Sequence, residues 1–178
     1  RGILLRLARQ AIEAAVRNLP LPPIDNAILT DMLLQPGASF VTLTLDGGLR
    51  GCVGTLMPYQ PLVEDVREHA VAAALEDRRF RPVTLEELPR LRIEISRLSF
   101  PEDLEYDSPL QLPGLLRPHI DGVTLSNGWQ RATFLPQVWE KLPDPYTFLD
   151  HLCEKMGAPQ NLWRKRVLRV QTYQVEGF

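Results

Sequence analysis

The chain has 178 residues, 44% of them hydrophobic and 24% charged, with a formal net charge of −2. That length supports one domain with a substantial core and room for two lobes, and the composition is that of an ordinary globular protein. A charge so near zero excludes a global field for nucleic acid or anionic membrane, and no apolar run approaches the ~20 residues of a membrane helix. The two cysteines, far apart in sequence, make neither a disulfide framework nor a zinc spacing, so a reducing cytoplasm is the expected setting.

Ile3, Leu4, Leu7, Ala8, Ala11, Ile12, Ala15, Val16 and Leu19 recur at helical spacing, with Arg6, Arg9, Glu13 and Arg17 on the opposite stripe. This predicts an amphipathic helix packed on a core. Leu19-Pro20-Leu21-Pro22-Pro23 ends it and runs extended. Residues 24–37 carry no decisive pattern until the turn at Gln35-Pro36-Gly37. Residues 40–45 are β-branched and alternating, which predicts a strand. Asp46-Gly47-Gly48 follows as a tight turn, so residues 49–54 are the return strand of a hairpin.

That return strand reads Leu49-Arg50-Gly51-Cys52-Val53-Gly54. Period-two alternation places Arg50, Cys52 and Gly54 on one face and Gly51 and Val53 on the other. Arg50 and Cys52 then stand about 7 Å apart, where the cation favours a thiolate. Glycines inside a strand mark a bulge or the close approach of a ligand or another backbone. Cys52 therefore reads two ways, as a reactive thiol or as a small buried hydrophobe. If the face shared by Arg50 and Cys52 opens on a groove, Arg50→Ala costs function more than stability, and Val53→Ala, on the helix-facing side, does the reverse.

Pro61 suits a first helical turn, and Leu62, Val66, Ala70, Ala73 and Ala74 form an apolar stripe to about Glu76. His69 lies inside this helix and reads as a surface or hydrogen-bonded histidine rather than a ligand. In Asp77-Arg78-Arg79-Phe80-Arg81-Pro82, arginines able to grip carboxylate or phosphate flank an aromatic ring. Thr84-Leu85-Glu86-Glu87 is a capping box. Leu91, Ile93 and Ile95 alternate with polar residues as a strand. Residues 100–118 are irregular, with a short helix near 109–116. Asn127-Gly128 joins strands 123–126 and 129–134. Asp144 caps a helix that Gly157 ends, with Phe148, Leu149, Leu152, Cys153 and Met156 facing the core. His151 and Cys153, two apart on that helix, diverge, which is poor metal geometry. Residues 167–175 form a closing strand, and Arg164, Lys165, Arg166 and Arg169 read as its solvated edge.

The hexapeptide at 49–54 resembles the signature of the AMMECR-type domain family, the AMME syndrome candidate-region protein, also called protein A of the AmmeMemoRadiSam system. Further blocks follow in the same order: Glu76-Asp77-Arg78-Arg79-Phe80, Ile93-Glu94-Ile95-Ser96, Asp121-Gly122-Val123, residues 132–139, and His151-Leu152-Cys153. The resemblance covers nearly the whole chain and implies a single domain over 1–178. Asp77, Arg79 and Phe80 match its second motif. It also implies companions resembling a Memo-type protein and a radical SAM enzyme.

The element pattern gives an α+β fold, a mostly antiparallel β-sheet flanked by helices with a smaller second lobe. The chain has no P-loop, dinucleotide fingerprint, zinc-protease motif or nucleophile elbow, and no cofactor or metal is expected. Two functions remain open. One is a binding or accessory module whose groove, lined by Arg50, Cys52, Arg79 and Phe80, takes an anionic small molecule or peptide segment. The other is a Cys52-dependent enzyme or thiol carrier, with His69 or Glu94 as base.

Overall fold

A computed structural model describes residues 2–25, 27 and 29–178. The chain divides into two units, Arg1–Leu98 with Glu176–Phe178, and Ser99–Val175.

In the first unit, α1 (Gly2–Val16) is followed by the short α2 (Asp31–Leu34), β1 (Pro36–Leu45), β2 (Gly48–Gly54), β3 (Gln60–Pro61), α3 (Leu62–Leu75) and β4 (Leu91–Leu98). The sheet runs β2-β1-β4-β9, where β9 is Val175–Gly177, and β3 adds to one end of β1. β1 is antiparallel to both β2 and β4. Its alternation explains the layering. Val41 and Leu43, paired with Ile95 and Ile93, face α1 and α3 and join Leu7, Ile12, Val66 and Ala70 in one core. Thr42, paired with Glu94, occupies the other face. Small residues in α3 let it lie close to the sheet: a Cβ at Gly51 would fall on the carbonyl oxygen of Ala73.

The second unit contains β5 (Glu102–Asp103), α4 (Leu112–Leu115), β6 (Gly122–Asn127), β7 (Gln130–Phe134), α5 (Pro145–Lys155), α6 (Leu162–Lys165) and β8 (Arg169–Tyr173). Its sheet has the order β5-β8-β6-β7. The Asn127-Gly128 hairpin forms as expected, with Gly128 at φ +63°. Asp144 caps α5 through the N–H of Thr147 at 2.8 Å. The core stacks Trp139 on Phe148, ring centroids 3.7 Å apart, beside Leu149, Leu152, Cys153 and Trp163. Trp139 donates its indole N–H to the carbonyl of Asp121 at 2.7 Å.

The molecule is thus α+β, with two antiparallel sheets flanked by helices and a smaller second lobe. One expected element divides. Residues 167–175 do not make a single closing strand; β8 ends at Tyr173, and β9 leaves to pair with β4, where Phe178 and Ile95 exchange backbone hydrogen bonds of 2.8 and 3.0 Å. Among the described residues, no helix is long and apolar enough to cross a membrane.

Candidate functional site

β2 is the outermost strand of the larger sheet, so half of its backbone groups lack a neighbouring strand. At Cys52 that deficit is met by side chains. Asp77 Oδ2 accepts the Cys52 N–H at 2.9 Å, and Arg79 Nη2 donates to the Cys52 carbonyl at 3.2 Å. Asp77 and Arg79 are themselves paired at 2.7 Å, with a second bond from Arg79 Nε at 2.9 Å. The fork comes from local sequence: Asp77 follows the last turn of α3, and its carboxylate also accepts the N–H of Arg79 at 3.1 Å, which fixes the turn. The Phe80 ring lies 5.6 Å from the Arg79 guanidinium and completes the cluster.

Electrostatics follow from that geometry. The Arg79 hydrogen bond, helped by the Cys52 N–H, holds the Asp77 carboxyl well below the usual carboxylate range. Arg79 is raised in turn, first by Asp77 and to a smaller extent by the neighbouring Cys52 thiol. The cation beside the thiol is therefore Arg79. Thr42 Oγ1 donates to Cys52 Sγ at 3.4 Å across the hairpin. Register carries the row one strand further, to Glu94, so Cys52, Thr42 and Glu94 lie side by side on the sheet face away from the helices.

Arg50 behaves differently from the alternation expected of it. Leu43 pairs with Gly51 but Thr44 pairs with Leu49, so Arg50 is the extra residue of a β-bulge. A bulge re-aims its side chain. The Arg50 guanidinium grips Glu87 at 2.8 and 3.0 Å and donates to the carbonyls of Arg81 and Pro82 at 2.8 and 3.2 Å. Its side chain is 13% exposed and that of Glu87 18%. The Arg50 hydrogen bonds lower Glu87 to about 2. Arg50 thus clamps residues 81–87 and does not stand over the thiol. The capping box supplies its partner, since the same Glu87 carboxylate accepts the N–H of Thr84 at 2.7 Å.

The remaining motif residues are placed by packing. Leu49 is exposed beside the turn. Val53 packs against the helix-side core. Gly54 leaves no room for a side chain between the Phe40 ring and the Ser39 carbonyl. His69 is buried, not at the surface. Its Nδ1 lies 3.3 Å from Oδ2 of buried Asp65, which accepts the Ser39 hydroxyl at 2.6 Å. The His69 contact is outside hydrogen-bond geometry, and among the described residues His69 Nδ1 and Asp65 Oδ1 have no hydrogen-bond partner. Asp65 and Ser39 bring this pair to the helix side of the sheet, opposite the thiol row. Thr42 and Glu87 were not singled out as site residues by sequence; the register of β1 is the signal that finds Thr42.

Comparison with known proteins fits this motif order. The family model AMMECR1 matches residues 5–178. The chain belongs to the AMMECR1 family. A protein of Methanothermobacter thermautotrophicus is 40% identical over 179 residues, covering 98% of this chain and 91% of that one. Protein TK0174 of Thermococcus kodakarensis is 36% identical over 187 residues, covering 98% and 87%. The crystal structure of the uncharacterized protein PH0010 from Pyrococcus horikoshii superposes with a TM-score of 0.84 at 33% identity, over 98% of this chain and 88% of that one.

Proposed function

We propose that this AMMECR1-family chain is a binding module whose contact surface is formed by Cys52, Arg79 and Phe80. The observation that carries the reading is Arg79 itself. Its side chain is 57% exposed, and its Nη1 has no hydrogen-bond partner among the described residues. Asp77 fixes the guanidinium plane, so an incoming carboxylate or phosphate meets a cation already oriented, with Phe80 beside it for stacking. Arg50, spent on Glu87, drops out of the surface. The partners are a Memo-like protein and a radical SAM enzyme, the companions that the family resemblance implies, and the chain acts as their cytoplasmic accessory protein in modifying a substrate.

The test is co-purification and titration of those two proteins from one genome with the wild-type chain, Arg79→Ala and Phe80→Ala. Either substitution weakens binding about tenfold, the worth of one charge-assisted contact, while the circular dichroism spectrum is retained. Unchanged binding with folded variants overturns the reading.

A second reading has its own observation: the Thr42 hydroxyl donates to the Cys52 thiol, and the Arg79 guanidinium is bonded to the carbonyl of the same residue. On it, Cys52 is the nucleophile or acceptor of an enzyme or thiol carrier, with Glu94 on the same row as base. Alkylation rate against pH decides. A thiolate with a midpoint well below ~8.5 that rises again in Arg79→Met supports this reading; an ordinary midpoint that the substitution leaves in place removes it.

A further inference from the structure

The segment that ends α1 has no part in the site. Its sequence is Arg17-Asn18-Leu19-Pro20-Leu21-Pro22-Pro23. Backbone chemistry biases it to extended conformations. Pro20, Pro22 and Pro23 have φ fixed near −65°, and Leu19, Leu21 and Pro22 each precede a proline, which removes the helical region. These restrictions favour polyproline II, whose three residues per turn would set Pro20 and Pro23 on the same edge.

The segment is tied to the first unit at both ends. Asn18 at φ +55° turns the chain out of α1, and the N–H of Leu19 returns to the carbonyl of Ala14 at 2.9 Å. Arg67, on α3 and only 8% exposed, donates to the carbonyl of Pro22 at 2.7 Å. Ile24, next in the chain, packs against the core. Between these anchors every residue from Arg17 to Pro23 is exposed, Leu19 at 57% and Leu21 at 43%. Among the described residues, no donor reaches the carbonyls of Leu19, Pro20 or Leu21, and Arg17 has no carboxylate partner. The Arg67 guanidinium also meets Glu64 at 3.4 Å, so one buried arginine ties an otherwise solvated proline arm to α3.

We infer that residues 19–23 are a preformed docking arm for a protein module with an aromatic-lined groove, with Arg17, on the helix side of the Asn18 turn, open to an acidic residue at one end of that groove. Ridges of Tyr or Trp receive the Leu19-Pro20 and Pro22-Pro23 pairs, groove donors reach the open carbonyls, and the carboxylate meets Arg17. The arm enters already ordered, so little chain entropy opposes binding. This face lies apart from the surface of Cys52, Arg79 and Phe80, and the inference does not depend on that reading.

The probes are isolated SH3 domains whose grooves carry paired aromatic ridges and an acidic pocket, titrated into the full chain by calorimetry. At least one binds saturably. The double variant Pro20→Ala/Pro23→Ala weakens that binding tenfold or more, to the extent of about one decade in Kd. Arg17→Glu weakens it and removes its salt dependence. A synthetic peptide of residues 16–24 displaces the probe from the wild-type chain, which keeps the test independent of any change in the variants' folding. Absence of saturable binding up to about 1 mM, binding the double variant does not alter, or failure of the peptide to compete overturns the inference.

Discussion

The Asp77 carboxylate accepts the backbone N–H of Cys52, at 2.9 Å, on the open edge of a sheet. With Arg79 on the carbonyl of the same residue, one ion pair takes the place of a neighbouring strand for one residue. Removing the carboxylate leaves a largely buried N–H and a guanidinium without its anchor. Asp77→Ala is expected to cost about 1–3 kcal/mol in urea unfolding and to speed hydrogen exchange at the Cys52 amide more than at other β2 amides. An unchanged Cys52 exchange rate contradicts the fork.

Acid should loosen the first unit in a defined order. Glu87 and Asp77 both have pKa values depressed in the folded state, by Arg50 and Arg79 respectively. Their contribution is complete above the unfolded carboxylate range, near pH 4.5, and is lost as pH falls; for Glu87 the loss runs down to about 2. Glu87→Gln is expected to flatten the fall in stability between those limits, on the order of 2 kcal/mol. A parallel acid titration in the variant rules this out.

Arg50→Ala reverses the expectation drawn from strand alternation. A side chain 13% exposed with four hydrogen bonds is structural, and its loss strands the Glu87 carboxylate. We expect destabilisation of about 2–4 kcal/mol, larger than the roughly 1 kcal/mol for Val53→Ala, which is only partly buried. Denaturant midpoints of the two variants compare them directly.

Gly51→Ala is expected to be more damaging than either. The new methyl meets main chain, the Ala73 carbonyl, and not the mobile end of a side chain, so β2 or α3 must move. A loss above about 3 kcal/mol or failure to fold is the expected result; a variant with native Tm shows that the helix yields.

The two thiols should separate cleanly under a thiol reagent. Cys52 is half-buried, whereas Cys153 is fully buried and burial pushes its pKa up. Native protein is expected to label at Cys52 alone, and Cys153 only after denaturation, as read by peptide mass spectrometry.

Local chemistry made much of this legible. The Asp46-Gly47 turn, the Asn127-Gly128 hairpin, the Asp144 cap and the apolar stripe of α3 each follow from a few neighbouring residues. Asp77, Arg79 and Phe80 come together because they are nearly adjacent. The glycines of residues 49–54 allow a bulge, but its position is a property of the pairing between two strands, so the turning of Arg50 off the Cys52 face could not be read from this stretch. For His69 the choice between a surface and a hydrogen-bonded histidine stayed open, because its neighbour Asp65, one turn away, is buried with Ser39 of β1 only once the sheet forms. The destination of β9 was invisible for the same reason: a three-residue strand carries no mark of the strand it will pair with.

The return of β9 to β4 also sets a timetable. Ser99 and Gln174, where the chain leaves the first unit and comes back, are bonded to one another through the Ser99 N–H and hydroxyl, both at 2.9 Å. The whole of Ser99–Val175 is therefore spliced into the first unit between its penultimate and final strands. On a ribosome the spliced unit has all of its own strands before Glu176 to Phe178 are made, while the unit that begins the chain must wait for them to finish its sheet. Of the two lobes, the one entered first is completed last.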